Sequence, residues 1–316
     1  MFTGKGFRMK FNNTKSVLSI DFDLESYFAE KTKTIKNELI NIINKSNSFG
    51  QLSKAMEYSL ISEGKRIRPI LCIAAAESVG GKQSDVLPAA CAIEIIHTYS
   101  LIHDDLPAID NDLLRRGKPT CHAAFNEATA ILAGDALLTL AFQVLSEFEL
   151  HNNTNALKWL KIINLISTAA GYMGMIEGQM RDIASENTQI LLNKLEELHI
   201  LKTGALIVAS VESGAILANA SLDQIKQLKI YAKKIGLAFQ IADDLLNAMG
   251  DPTITGKPVG TDNVRKKSTY PSLLGIDESE NYAKKLIKEA LHALAIFDNK
   301  SDPLRAIALY IIERNR

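Results

Sequence analysis

No proline stands between Pro119 and Pro252, so nothing in the middle of this chain is barred from helix by a missing N–H or a locked φ. The stretch is rich in Ala, Leu, Ile and Glu, its apolar residues recur at helical spacing, and it lacks the alternating β-branched runs that mark strands. An all-α fold is the expectation. Polar interruptions at 151–155, 185–189 and 219–223 divide the stretch into separate helices, and Ser221 with Gln224 reads as a capping box at the start of one of them. Several of these helices are apolar on more than one face, which places them centrally in a bundle. One long irregular segment, 250–268, holds two prolines, three glycines and several basic residues and reads as a flexible loop beside a site.

A chain of 316 residues that is 47% hydrophobic supports a large core, and no repeat or shift of composition divides it. Residues 1–20 carry Lys5, Arg8, Lys10 and Lys15 with no acid before Asp21. They read as a flexible polar tail rather than a targeting segment, leaving 21–316 as a single domain. Lysine plus arginine and aspartate plus glutamate number 36 each, so net charge gives no reason to expect nucleic acid or an anionic membrane as partner. Cys72, Cys91 and Cys121 are widely spaced and form no CxxC pair, which argues against a disulfide framework or a zinc site and for a reducing cytoplasm. No unbroken apolar run of roughly 18 residues is read along the chain, so stable membrane insertion is not expected.

Asp104, Asp105 and Asp110 gather in HDDLPAIDNDLLRRGKP, at the end of the apolar segment that carries His97, Tyr99 and Leu101. Left to themselves these carboxylates repel. A six-residue spacing does not keep Asp104 and Asp110 on one face of a regular helix, but Pro107 offers a break that folds the third back toward the first. Oxygen ligands without neighbouring His or Cys point to Mg²⁺, which is held by few carboxylates together with water and substrate phosphates. In FQIADDLLN, Asp243 and Asn247 share a helix face, with Asp244 beside them; alone, this second cluster is equally well a solvated helix end. Matching cations stand in GKRIRP (64–69), at Arg115 and Arg116, at Lys202 with Thr203, and from Lys257 to Lys267. Arginine forks and lysine point charges suit diphosphate oxygens, and the Gly64 backbone allows close approach. Asp135, inside an apolar run, reads as an internal partner for a cation, and Cys91 and Met173 read as core filler.

The motifs GKRIRP, HTYSLIHDDLPAIDNDLLRRGKPTCH, LAGDALL, GQMRDI, LKTGAL, FQIADDLLN and KKSTYPSLLG, in this order, resemble those of the trans-prenyl diphosphate synthases over nearly the whole chain. The inserted form of the first aspartate motif resembles the bacterial farnesyl diphosphate synthases. The resemblance implies a bundle of about ten or more helices around a central cavity. It implies a homodimer and Mg²⁺ as cofactor, three ions in number. It further implies that Lys65, Arg68, His97 and Arg116 bind isopentenyl diphosphate, with Gly64 beside them, and that Arg115, Lys202, Thr203, Gln240, Lys257 and Lys267 hold an allylic diphosphate. Asp104, Asp110 and Asp243 would be metal ligands, with Asp105 and Lys202 sharing in catalysis and Asp135, Gln179 and Asp182 in support. Three positions depart from the family pattern: Asn247 for the final aspartate of the second motif, Leu113 for an acid after the first, and Lys266 for a glycine before Lys267. Asn247 retains an oxygen donor without charge.

The function so implied is condensation of isopentenyl diphosphate with dimethylallyl or geranyl diphosphate to farnesyl diphosphate. Alternatives are a geranylgeranyl diphosphate synthase, a terpene cyclase, against which GKRIRP and Arg116 speak, and a non-catalytic subunit, for which Asn247 is the one hint. Tyr99 is the candidate for setting product length, with the small Ser100 beside it. It stands five residues before Asp104, which places its backbone about 7.5 Å down the helix from the metal end at roughly 1.5 Å per residue. Aromatic residues occupy the same position in farnesyl-type enzymes with this motif.

Overall fold

The computed structural model describes residues 22–45, 50–152, 156–249 and 267–313. The expected N-terminal tail and most of the expected loop, with Lys257 and Lys266, lie outside the described residues. The helices are α1 (Leu24–Asn44), α2 (Gln51–Leu60), α3 (Ile67–Ser78), α4 (Gln83–Asp104), α5 (Cys121–Ala124), α6 (Glu127–Asn152), α7 (Ala156–Ala170), α8 (Met175–Ala184), α9 (Leu192–His199), α10 (Ala205–Leu217), α11 (Leu222–Met249), α12 (Tyr270–Leu274), α13 (Ile276–Ala293) and α14 (Asp302–Glu313). The fold is a helical bundle, as expected, and the three interruptions read from the sequence fall between α6 and α7, α8 and α9, and α10 and α11. Ser221 and Gln224 close the capping box at α11 through hydrogen bonds of 2.8 and 3.2 Å.

α4 packs between α6 and α3, α3 against α10, and α10 against α11, which in turn lies on α13. Ile93, Ile95 and Ile96 on successive faces of α4 are fully buried, as befits a helix that is apolar all round. The outer helices α1 and α13 bury one stripe each, through Ile35 and Leu39 and through Leu286 and Ala290.

Three features differ from the expectation. A turn at Gly171–Gly174 separates α7 from α8 and leaves Met173 61% exposed rather than in the core. Asp135 is likewise no internal partner: its side chain is 64% exposed on α6, 3.9 Å from His103 Nε2. In both cases the apolar pattern of the neighbouring residues is the same whether the position meets a core or a surface. Three helical runs are also long and apolar enough, by length and composition, to cross a membrane: Gln83–Asp104, Glu127–Glu147 and Leu192–Leu217. Helices enclosed by other helices read this way, and the first and third have 67% and 61% of that stretch buried. The α6 stretch is only 33% buried and presents Ile131 and Leu132 outward.

Candidate functional site

α4 ends at Asp104, and the chain then turns through Pro107 so that the Asp110 N–H donates to the Asp104 carbonyl at 2.8 Å. That bond brings the carboxylate-bearing residues together in space although the sequence sets them six apart. Burial, and then the charges of Asp110 and Asp105, work against the cation Lys202 to push the Asp104 carboxyl up to about 6. A half-buried carboxyl crowded in this way is a site that a cation relieves. Asp105 has a different environment: it is 3% exposed, and Arg115 Nε and Nη2 donate to its two oxygens at 2.6–2.9 Å. Its carboxylate is therefore committed to aiming Arg115. Among the described residues no three His, Cys, Asp or Glu side chains converge as a preformed metal cage.

Arg115 and Arg116 reach the site on a two-residue hairpin, Leu114–Arg115 paired with Lys118–Pro119. Its turn has positive φ at Arg116 (53°) and Gly117 (73°), the form that matches strand twist. Arg116 Nη1 donates to the Glu63 carbonyl. Its guanidinium fills the space a Cβ on Gly64 would need, so glycine there serves the arginine as well as any ligand. Arg68 Nη1 lies 3.2 Å from His97 Nε2. A guanidinium only donates, so Nε2 is the acceptor and the ring proton sits on Nδ1. Burial, then the charges of Arg68, Arg116, Arg115 and Arg66, hold His97 well below the ordinary histidine range, and it is neutral. Arg68 Nε is a buried donor without a protein partner. Lys65, exposed, rests its ammonium 5.1 Å from the Tyr310 ring.

Across from Asp104 and Asp110, Lys202 and Lys267 both donate to Asp182 Oδ2, at 2.6 and 2.8 Å, and Lys267 Nζ lies 3.9 Å from Asp110 Oδ1. Lys202 stands in a π-helical turn, Ile200–Gly204, between α9 and α10; such turns recur at functional sites. Gly178 permits it, because a Cβ there would overlap the Lys202 backbone. Burial works to raise the Asp182 carboxyl, but the two lysines outweigh it and hold it at about 2. Thr203 Oγ1 donates to Gln240 Oε1 at 3.1 Å, Gln240 Nε2 to Asp244 Oδ1 at 3.1 Å, and Asp244 Oδ2 accepts from the Tyr270 N–H at 3.0 Å. The second acidic cluster is thus divided. Asp244, 5% exposed, pins α12 to α11, while Asp243 and Asn247 are half-buried on the other face and Asp243 acts electrostatically on Arg68.

Tyr99 is 5% exposed, with a hydroxyl that has no protein partner, and its ring meets His103 edge-on at 5.8 Å. Ser100, half-buried, donates from Oγ to the His97 carbonyl at 2.9 Å. Both amide atoms of Gln179 are buried without a protein partner. Sequence reasoning passed over Arg66, Glu94 and Tyr270. The signal available for Glu94 was an acid within AACAIEIIH, one helical turn before His97.

The polyprenyl synthetase family profile matches residues 50–303. The chain is 47% identical over 289 residues to the farnesyl diphosphate synthase of Micrococcus luteus, covering 90% of this chain and 98% of that protein. It is 44% identical over 299 residues to a geranylgeranyl diphosphate synthase of Cyanophora paradoxa, covering 94% and 99%. Among solved structures, the ligand-free FPP/GFPP synthase of Zymomonas mobilis superposes with a TM-score of 0.80 at 38% identity over 92% of this chain and 98% of that one.

Proposed function

This chain belongs to the polyprenyl synthetase family, and from that premise we propose that it condenses isopentenyl diphosphate with dimethylallyl or geranyl diphosphate to give farnesyl diphosphate. The observation that carries the reading is a pair of cationic niches, one of Arg68, His97 and Arg116 and one of Lys202 and Lys267 beside Asp104 and Asp110. A terpene cyclase has use for only one.

In this reading Arg68, whose buried Nε lacks a protein partner, holds the isopentenyl diphosphate together with Lys65, Arg116 and the neutral His97, at the backbone of Gly64. Lys202, Lys267, Arg115, Thr203, Gln240 and Lys257 hold the allylic diphosphate. Asp104, Asp110 and Asp243 would hold Mg²⁺, three ions on the family resemblance, and the metal would supply positive charge toward the diphosphate leaving group. Lys202 and Lys267, fixed by Asp182, face that same developing charge. Asp105 contributes by aiming Arg115. The isopentenyl double bond attacks the allylic cation so formed, the C–O bond having broken with its electrons on the diphosphate. The proton then lost goes to that diphosphate. The apolar walls of α4 and α6 keep water from trapping the cation. Tyr99 closes the chain cavity at fifteen carbons.

The outward apolar face of α6 at Ile131 and Leu132 supports a homodimer. Three free, buried cysteines support a cytoplasmic location. Purified protein given labelled isopentenyl diphosphate, Mg²⁺ and either primer should form farnesol-length product after dephosphorylation. A twenty-carbon product would instead support a geranylgeranyl diphosphate synthase, and absence of incorporation would overturn the enzyme reading for a non-catalytic subunit.

A further inference from the structure

We propose that Glu94, through a buried ion pair with Arg66, is a positioning residue that sets the geometry and charge balance of the isopentenyl diphosphate niche. Arg66 Nη1 donates to Glu94 Oε1 at 2.5 Å, with side chains 3% and 2% exposed. The second arm of the guanidinium, Nη2, donates to the carbonyls of Leu60 at 2.8 Å and Ser62 at 2.5 Å. One side chain thereby joins the end of α2, the 61–66 segment and the middle of α4. That segment presents Lys65 and Gly64, leads directly to Arg68, and is held from its other side by Arg116 on the Glu63 carbonyl.

Three observations connect this pair to the ligand rather than to stability alone. Arg66 caps α3 in the left-handed conformation, at φ 47° and ψ 38°. A non-glycine residue adopts that conformation only where its surroundings compel it, and such residues cluster at functional sites. The sequence places glycine at 64 and not at 66, so the side chain at 66 is worth its backbone strain. Glu94 also lies one turn before His97 on α4, so the helix that carries the neutral imidazole carries the carboxylate as well. Lastly, Arg66, Arg68 and Arg116 are like charges that oppose one another, and of the charged groups acting on Arg68 and Arg116 the Glu94 carboxylate is the strongest. A buried ion pair adds little net stability over an apolar pair of similar volume. Offsetting the mutual repulsion of these guanidiniums before an anion arrives is a task an apolar pair cannot perform.

The inference rests on the reading of Arg68, His97 and Arg116 as the isopentenyl diphosphate site. The test uses the full chain and measures KM for isopentenyl diphosphate, KM for geranyl diphosphate, kcat and the melting temperature. Glu94→Gln keeps the shape and removes the charge. It should raise KM for isopentenyl diphosphate about tenfold, equivalent to ~1.4 kcal/mol, while KM for geranyl diphosphate stays close to that of the parent and kcat falls less than KM rises. Because an unpaired buried Arg66 weakens the fold, the double variant Arg66→Met with Glu94→Leu removes the buried charge altogether. It should melt no lower than Glu94→Gln and still show the raised KM for isopentenyl diphosphate. A purely structural role would move both KM values together with the melting temperature, and that result would overturn the proposal. So would a folded double variant with the parent's KM for isopentenyl diphosphate. Arg68→Ala separates the two readings: unchanged KM for isopentenyl diphosphate there would remove the site assignment itself, whereas a raised value with Glu94→Gln unaffected would remove this inference alone.

Discussion

Asp182→Asn tests the electrostatic centre of the proposed allylic niche, because one carboxylate oxygen accepts from both Lys202 and Lys267 at 2.6 and 2.8 Å. Burial works against the ionised form, but the two ammonium groups hold the Asp182 carboxyl at about 2, against an ordinary value of about 3.9. That gap corresponds to about 2 kcal/mol of folding free energy at neutral pH. The side chain is 13% exposed, so solvent screening takes little from that figure. The folded-state value lies below the unfolded one, so the stabilisation is fully present above about pH 4 and is lost as the pH falls from about 4 toward 2. Asp182→Asn should therefore melt roughly 3 °C below the parent at pH 7, given about 2.1 cal/mol/K of unfolding entropy per residue over 316 residues. The difference should narrow in the acid range. With no carboxylate between them the two lysines repel and separate, and misplacement of about 1 Å is enough to cost roughly 10²-fold in rate. Calorimetry across pH, with KM for geranyl diphosphate and kcat measured alongside, checks both parts. Equal melting at pH 7, or unaltered kinetics with the allylic substrate, would refute the reasoning.

Asp104→Ala should lower turnover roughly 10³-fold while leaving the fold intact, since burial dominates the environment that pushes its carboxyl up to about 6; a normal rate at limiting Mg²⁺ would remove it from the metal ligands. Asn247→Asp adds a charge on the face shared with Asp243 and should lower the Mg²⁺ concentration needed for half-maximal rate, with an unchanged or higher requirement counting against any metal role there. Tyr99→Ala removes a ring that is 5% exposed and that, on the proposed reading, stops the growing chain, since packed interiors take extra methylenes poorly. Product should move from fifteen carbons to twenty or more by chromatography, and a folded, active variant that still stops at fifteen would end that assignment.

Helix content and breaks were legible because they depend on local chemistry: an absence of proline, a 3.6-residue pattern, and a cap such as Ser221 with Gln224. The return of Asp110 to Asp104 was legible for the same reason, through Pro107. What the sequence withheld depends on partners distant along the chain. The π-turn at Lys202 forms against the backbone approach that Gly178 allows, and no local rule announces it. The division of labour within each acidic cluster is also tertiary. Asp105 is turned to Arg115 and Asp244 to the Tyr270 amide, while adjacent Asp104 and Asp243 look elsewhere, and DD in a motif carries no mark of which residue faces which way. Asp135 and Met173 were misread because an apolar run is the same pattern whether it meets a core or another surface.

These pairings bear on how a site so rich in cations stands ready before any diphosphate binds. Arg115 has Asp105, Lys202 and Lys267 share Asp182, and Arg66 has Glu94. Arg115, Lys202 and Lys267 are thus supported from behind by a buried or largely buried carboxylate, and Glu94 holds Arg66 beside the second niche. A diphosphate then adds negative charge from the cavity side without displacing the partner that holds the arm in place. Little reorganisation accompanies the build-up of charge on the leaving group, which is the condition under which fixed charges accelerate a reaction rather than merely bind its substrate. The supporting carboxylates should therefore affect rate and KM through geometry, each on the substrate its own cations face: Asp182 on the allylic diphosphate, Glu94 on the isopentenyl one. Exchange of those two signatures between the variants would contradict the two-niche arrangement on which the proposed reaction depends.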